Sequence, residues 1–163
     1  MIPTLVSADG VRSSHRTPAL FKVCESRIEE LLPACPERRD PIHGDLLHQN
    51  VLVADDAAHV TAIFSWKCSA RGDFLFNVAW CTFWGAWHPS IAAADIWRRT
   101  LAAPDLGEGD LVDAPARHHC YELQIAASHL GWNAWIGDDQ GLVAVADAAE
   151  CTLERGPFPA PHL

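Results

Sequence analysis

The chain has no long hydrophobic run, no paired cysteines and few basic residues, and each absence narrows what it can be. No stretch of about 18 apolar residues occurs, which argues against a membrane-spanning helix. The first residues, Met1-Ile2-Pro3-Thr4-Leu5, lack the basic flank and apolar centre of a secretory signal, so cytoplasmic residence is the expectation. The cysteines, Cys24, Cys35, Cys68, Cys81, Cys120 and Cys151, contain no Cys-x-x-Cys pair. That argues against a zinc knuckle or a disulfide framework and favours reduced, mostly buried thiols. Twelve Lys and Arg face 21 Asp and Glu, for a net charge of −9. Such a surface repels nucleic acid and is compatible with a cationic ligand, or simply keeps the chain soluble. The acidity is concentrated late: residues 95–154 hold eleven acids against three arginines.

What is present is material for a core. Hydrophobic residues make up 49% of 163 residues and seven are tryptophan, enough for one domain with a buried interior. Residues 1–16 carry no apolar period and read as a loose lead-in. From Thr17-Pro18 a helix is expected, with Phe21, Cys24, Ile28 and Leu31 on one face until Pro33 and Pro36 end it. Val51-Leu52-Val53-Ala54 and His59-Val60-Thr61-Ala62-Ile63-Phe64 read as a hairpin across Asp55-Asp56. Asp73 is placed to cap a nearly all-apolar helix, Phe74 to Trp87, closed by Pro89. Further helices are expected over 90–101, 116–135 and 139–154, with 104–115 a connecting loop and 157–163 a tail.

The chemistry is carried by Ile42-His43-Gly44-Asp45-Leu46-Leu47-His48-Gln49-Asn50-Val51. An aspartate and an asparagine stand five residues apart on a short loop that feeds an apolar strand. This is the spacing of the kinase catalytic loop, in which the aspartate takes the proton of the attacking hydroxyl and the asparagine holds a magnesium ion. His-Gly-Asp in place of His-Arg-Asp resembles the aminoglycoside phosphotransferase family of small-molecule kinases. Phe83-Trp84-Gly85-Ala86-Trp87 is most similar to its hygromycin phosphotransferase branch. The resemblance runs over about residues 20–156. It implies a mainly α fold with a small β-hairpin, the C-terminal lobe of a protein-kinase-like architecture occupying 17–156. Within that lobe the catalytic-type loop spans 42–50, the hairpin 51–65 and the helical remainder 73–156.

The same resemblance implies ATP and magnesium as cofactors and a small-molecule acceptor, cationic on the charge argument. It makes Asp45 the catalytic base, Asn50 a magnesium ligand, and His43, Gly44, Trp66, Gly72 and Asp73 structural supports. Two features depart from the family. Ser65 stands where the second magnesium ligand should be an aspartate, and a neutral hydroxyl is a poor ligand for a hard cation. The 42 residues before His43 hold no glycine-rich loop, and Lys22 is their only lysine, so the nucleotide-binding lobe is expected to be missing. Three readings follow: an impaired ATP-dependent O-phosphotransferase, a non-catalytic remnant or binding module, or one half of a split or truncated enzyme. A lobe of this kind should expose an apolar face and pair through it, with a copy of itself or with the lobe it lacks.

Other groupings carry less. His118-His119-Cys120 sit adjacent on a helix and point in different directions. A metal cluster of His43, Asp45 and His48 explains fewer residues than the catalytic loop does. Ser65 and Ser69 lack a nucleophile-elbow pattern. Trp80, Trp84 and Trp87 recur at helical spacing and read as core.

Overall fold

A computed structural model describes residues 8–56 and 58–160. Helix α1 spans Ala8–Leu31, and Leu20 and Cys24 on its inner face are buried in the core. It starts ahead of Thr17-Pro18, where the sequence placed its first turn, and runs through Pro18, which is exposed. Residues 8–16, expected to belong to a loose lead-in, are part of this helix, and residues 1–7 lie outside the described residues.

Two small antiparallel ladders follow, one nested inside the other. Strands β1 (Asp40–Ile42) and β4 (Ala70–Gly72) form the outer ladder, pairing Asp40 with Gly72 and Ile42 with Ala70. Strands β2 (Val51–Val53) and β3 (Val60–Ile63) form the inner one, pairing Val51 with Ile63. The nesting leaves two connections face to face, 43–50 and 64–69, each pinned by a ladder at both ends.

The rest is helical. After α2 (Leu75–Trp84), the helix expected over 90–101 is two short ones, α3 (Pro89–Ala93) and α4 (Ile96–Leu101). The break falls at Asp95, whose φ of 47° is left-handed and whose carboxylate caps α4 through the Arg98 N–H. The connection at 104–115 contains the short α5 (Glu108–Leu111) and the first turn of α6 (Ala114–Ile136), which Pro115 starts. Helix α7 is Asp139–Arg155.

Helix α6 is the pillar, packed by α1, α2 and α7. It buries residues on every side, so its sequence shows no polar stripe. Leu123, Ile125 and Leu130 are almost fully buried, each worth about 1.5–3 kcal/mol by removal from water. They meet Ala79 and Phe83 of α2 and Val145, Ala146 and Ala149 of α7 in one cluster. A second cluster joins Leu75, Val78, Trp97 and Ala114, with Phe158 of the C-terminal segment packed against it.

Candidate active site

The loop between β1 and β2 is held from several directions at once. The His43 backbone N–H donates to Asn77 Oδ1 of α2 at 2.9 Å, and Asn77 Nδ2 donates to the Pro41 carbonyl at 3.1 Å. The buried His43 ring joins the two facing connections. The Asp45 N–H donates to Nδ1 at 3.2 Å, so the ring proton sits on Nε2 and is donated to the Phe64 carbonyl at 2.7 Å. The Trp66 ring packs at an angle against it, the centroids 4.7 Å apart, and Trp66 Nε1 donates to the Ile63 carbonyl at 2.8 Å. Gly44 has φ +74°, and a Cβ there would lie 2.4 Å from the Cys68 carbonyl oxygen, so only glycine fits.

This frame presents Asp45. Asn50 is buried on a single 3-10 turn, and its Nδ2 donates to the Asp45 backbone carbonyl at 2.7 Å and to Asp45 Oδ2 at 2.9 Å. One carboxylate oxygen is thereby fixed, and the side chain is partly exposed. The Phe64 N–H donates to the Asn50 carbonyl at 3.1 Å, which brings residue 65 to the same end of the ladders. Ser65 has φ 66° and ψ 44°, a left-handed conformation that aspartate and asparagine adopt far more readily than serine.

Asp73 is occupied elsewhere. It is buried, and Arg117 of α6 grips it from two sides, Nε to Oδ2 and Nη2 to Oδ1, each at 2.8 Å. Tyr121 Oη donates to Oδ2 at 2.9 Å and the Leu75 N–H to Oδ1 at 3.1 Å, so the carboxylate caps the start of α2. Burial and the adjacent Asp73 carboxylate push the Tyr121 phenol up. Gly72 leaves room for Ile42, whose Cδ1 lies 2.7 Å from where a Cβ would stand. At the mouth of the outer ladder, Arg38 pairs with Asp40 at 2.6 Å and Asp110 at 2.7 Å. The Arg38 guanidinium holds the Asp40 carboxyl below the usual range.

Sequence reading missed Arg117, Tyr121 and Asn77. The one available signal was Arg117 itself, a lone arginine in a helix otherwise spent on the core.

A magnesium ion needs several oxygen ligands, normally with carboxylates among them. Here the neighbourhood offers the Asn50 carboxamide, the Ser65 hydroxyl and an Asp45 carboxylate already clamped by Asn50. Asp73 is spent on Arg117. No group of three His, Cys, Asp or Glu able to hold a metal occurs among the described residues. The donor set does not fit a magnesium ion clamped on phosphates.

Beside the loop lies an aromatic cleft of about 540 Å³, lined by Trp84, Trp87, His88, His129, Trp132 and Asp138 among others. His88 touches the loop directly, its ring 4.9 Å from that of His48. Trp80 and Trp84 pack against the core, Trp84 also lining this cleft, whereas Trp87, expected in the core, is exposed and lines the cleft. His118 and His119 are both buried in α6.

A model of the APH phosphotransferase enzyme family matches residues 7–112. The chain belongs to that family. No curated protein sequence matches it. Among solved structures, a thermostable variant of aminoglycoside phosphotransferase APH(4)-Ia, in ternary complex with AMP-PNP and hygromycin B, aligns with a TM-score of 0.70 at 22% identity. The alignment covers 84% of this chain and 43% of that one. The apo form of a thermostable variant gives a TM-score of 0.67 at 19% identity, covering 93% and 46%. The chain thus spans less than half the length of the solved family members it matches. The fold is the mainly helical lobe of the family's kinase-like architecture.

Proposed function

We propose that this chain is the acceptor-side lobe of an ATP-dependent small-molecule O-phosphotransferase, and that it does not turn over ATP by itself. The observation that carries this reading is the clamp of Asn50 on Asp45, set on a loop braced wholly from within the lobe. Asp45 is the base: Oδ2 is held by Asn50, and the other oxygen takes the proton as the acceptor hydroxyl attacks phosphorus. Resemblance makes Asn50 a metal ligand. In this lobe its amide group serves first to aim Asp45, and the neutral Ser65 leaves a magnesium site short of an anionic donor.

The acceptor lies in the aromatic cleft beside His88, where tryptophan faces and the Asp138 carboxylate suit a polyhydroxylated amine. The solved relatives support the class of ligand, since some were crystallised with hygromycin B together with AMP-PNP or ADP. Two of them carry alanine in place of an aspartate and an asparagine five positions apart, the separation of Asp45 and Asn50. The nucleotide-binding lobe packs on the exposed apolar residues of the inner ladder and the connection after it, Leu52, Val53, Val60, Ile63, Phe64 and Trp66. The proposed ATP chemistry and the free state of all six thiols support a cytoplasmic location.

A second reading, a binding module without turnover, is favoured by Ser65 alone. One series of experiments separates the two. Calorimetry of the chain alone should show hygromycin B binding and no magnesium-dependent ATP binding; micromolar ATP affinity contradicts both readings. The lobe is then fused behind the nucleotide-binding lobe of the hygromycin-binding relative. The fusion carrying Ser65→Asp should phosphorylate hygromycin B, the Ser65 fusion far more slowly, and adding Asp45→Asn to the former should slow it by about 10²–10⁴-fold. Hygromycin B binding with no turnover in either fusion establishes the binding module.

A further inference from the structure

The outer ladder carries a groove whose charge runs against that of the whole molecule. Its register sets Pro41 opposite Arg71, so the two stand on one face. Arg39 and Ser69, two residues before each of them, share that face by strand alternation. The other face holds the buried Ile42 against Gly72, whereas Arg39, Pro41, Ser69 and Arg71 are all exposed. Together with Trp66 they line a groove of about 520 Å³.

Among the basic side chains described, Lys22, Arg39, Lys67, Arg71 and Arg99 make no ion pair. Three of these five, Arg39, Lys67 and Arg71, belong to the outer ladder or to the connection that leads into it. The carboxylates of this region are engaged already, Asp40 and Asp110 by Arg38 and Asp73 by Arg117. In a chain of net charge −9, two guanidiniums thus share one groove with no carboxylate of their own. Like charges held together repel, and an anion from outside relieves that repulsion.

We propose that this groove binds a phosphomonoester, its phosphate bridged by Arg39 and Arg71 and the flat face of its organic body laid on Trp66. Guanidiniums match phosphate oxygens with paired hydrogen bonds, and the Ser69 hydroxyl is a further donor. Trp66 is 45% exposed while its indole N–H is spent on the Ile63 carbonyl, so what it offers a ligand is ring surface. The cations here are side chains, and binding needs no magnesium. The site is independent of the role given to Asp45, although the Trp66 ring also packs on His43 and so joins the groove to the loop. At Trp66 the groove adjoins the face assigned above to the nucleotide-binding lobe.

The test is a titration of the chain with phenyl phosphate, magnesium omitted, followed by NMR at the Trp66 indole N–H and the arginine side chains. The Trp66 signal is identified by its loss in Trp66→Phe. A saturable shift at millimolar ligand is expected, with glycerol phosphate binding more weakly because it has no ring to stack. Arg39→Gln and Arg71→Gln, both at exposed positions, should each weaken phenyl phosphate by about tenfold or more, with the thermal midpoint unchanged. Arg71→Lys keeps the charge without the fork and should recover only part of the affinity. Adenosine monophosphate binding above inositol monophosphate supports the site with a nucleotide as its ligand, and the reverse order supports it with a sugar-like ring. The absence of a saturable shift, an affinity indifferent to both glutamine variants, or glycerol phosphate binding as well as phenyl phosphate overturns the proposal.

Discussion

Replacing Arg117 with alanine should be among the most damaging single changes in the molecule. Its guanidinium makes two donations to Asp73 and two more, through Nη1, to the carbonyls of Asp110 at 2.8 Å and Val112 at 2.7 Å. The Arg117 and Asp73 side chains are only 1% and 2% exposed, so water cannot replace the lost partner. Removing one member of a buried, hydrogen-bonded pair typically costs about 3–5 kcal/mol. That is a large part of the roughly 5–15 kcal/mol that holds a domain folded. At about 2–4 °C per kcal/mol for a chain of this size, the thermal midpoint should fall by roughly 6–20 °C. Tyr121→Phe removes one hydrogen bond to the same carboxylate and should cost less, about 1.5–3 kcal/mol. Urea unfolding followed by tryptophan fluorescence measures both, and a double-mutant cycle of Arg117→Ala with Asp73→Ala isolates the coupling. An Arg117→Ala cost below about 1 kcal/mol, or no coupling with Asp73, refutes the view that this pair carries the site's foundation.

Three further outcomes are expected. Gly44→Ala should cost at least about 1–2 kcal/mol, because φ +74° is unfavourable for alanine and its Cβ would strike the Cys68 carbonyl; hydrogen exchange at the Asp45 amide should quicken with it, and unchanged exchange would refute the packing argument. At Ser65, whose φ is 66°, valine should cost about 1–2 kcal/mol while asparagine is neutral or stabilising; equal stabilities in a thermal melt would show that the turn relaxes. Acid should weaken the fold well before the carboxylates titrate. Burial and the Arg155 cation pull His118 down to about 3 and His119 down to about 4. The unfolded chain therefore binds protons below its ordinary histidine range while the folded one does not. Stability is full above that range and falls as pH drops toward 4, by up to about 1.4 kcal/mol per unit for each histidine. Glu122, whose carboxyl burial raises, acts in the opposite sense just above the carboxylate range and removes part of the slope. Urea melts at pH 7 and pH 5 read the loss, His119→Gln should lessen it, and a flat profile refutes the assignment.

The features legible in the sequence were those written locally. The spacing of Asp45 and Asn50, the hairpin that follows and the apolar helices all depend on neighbours a few residues away. The β1–β4 ladder was invisible because three-residue strands, one containing Pro41, carry no alternation to read. The break between α3 and α4 rests on one left-handed residue, Asp95, in a stretch whose periodicity continues across it. Asp73 read as a helix cap, which it is, but its ion pair spans 44 residues of sequence and appears only once α6 stands behind α2. Spacing places Trp80 and Trp84 on the core correctly but not Trp87, because it reports which residues share a helix face and not whether that face is covered to its end.

The bracing of the loop has a consequence for how such a lobe can be reused. The contacts described for residues 43–50 come from the lobe's own ladders, from Asn77 and Cys81 of α2, from His88 and from the 64–69 connection. The Asp45 side chain is held by Asn50 of the same loop, and no second lobe is needed to order it. The aiming of Asp45 is therefore portable.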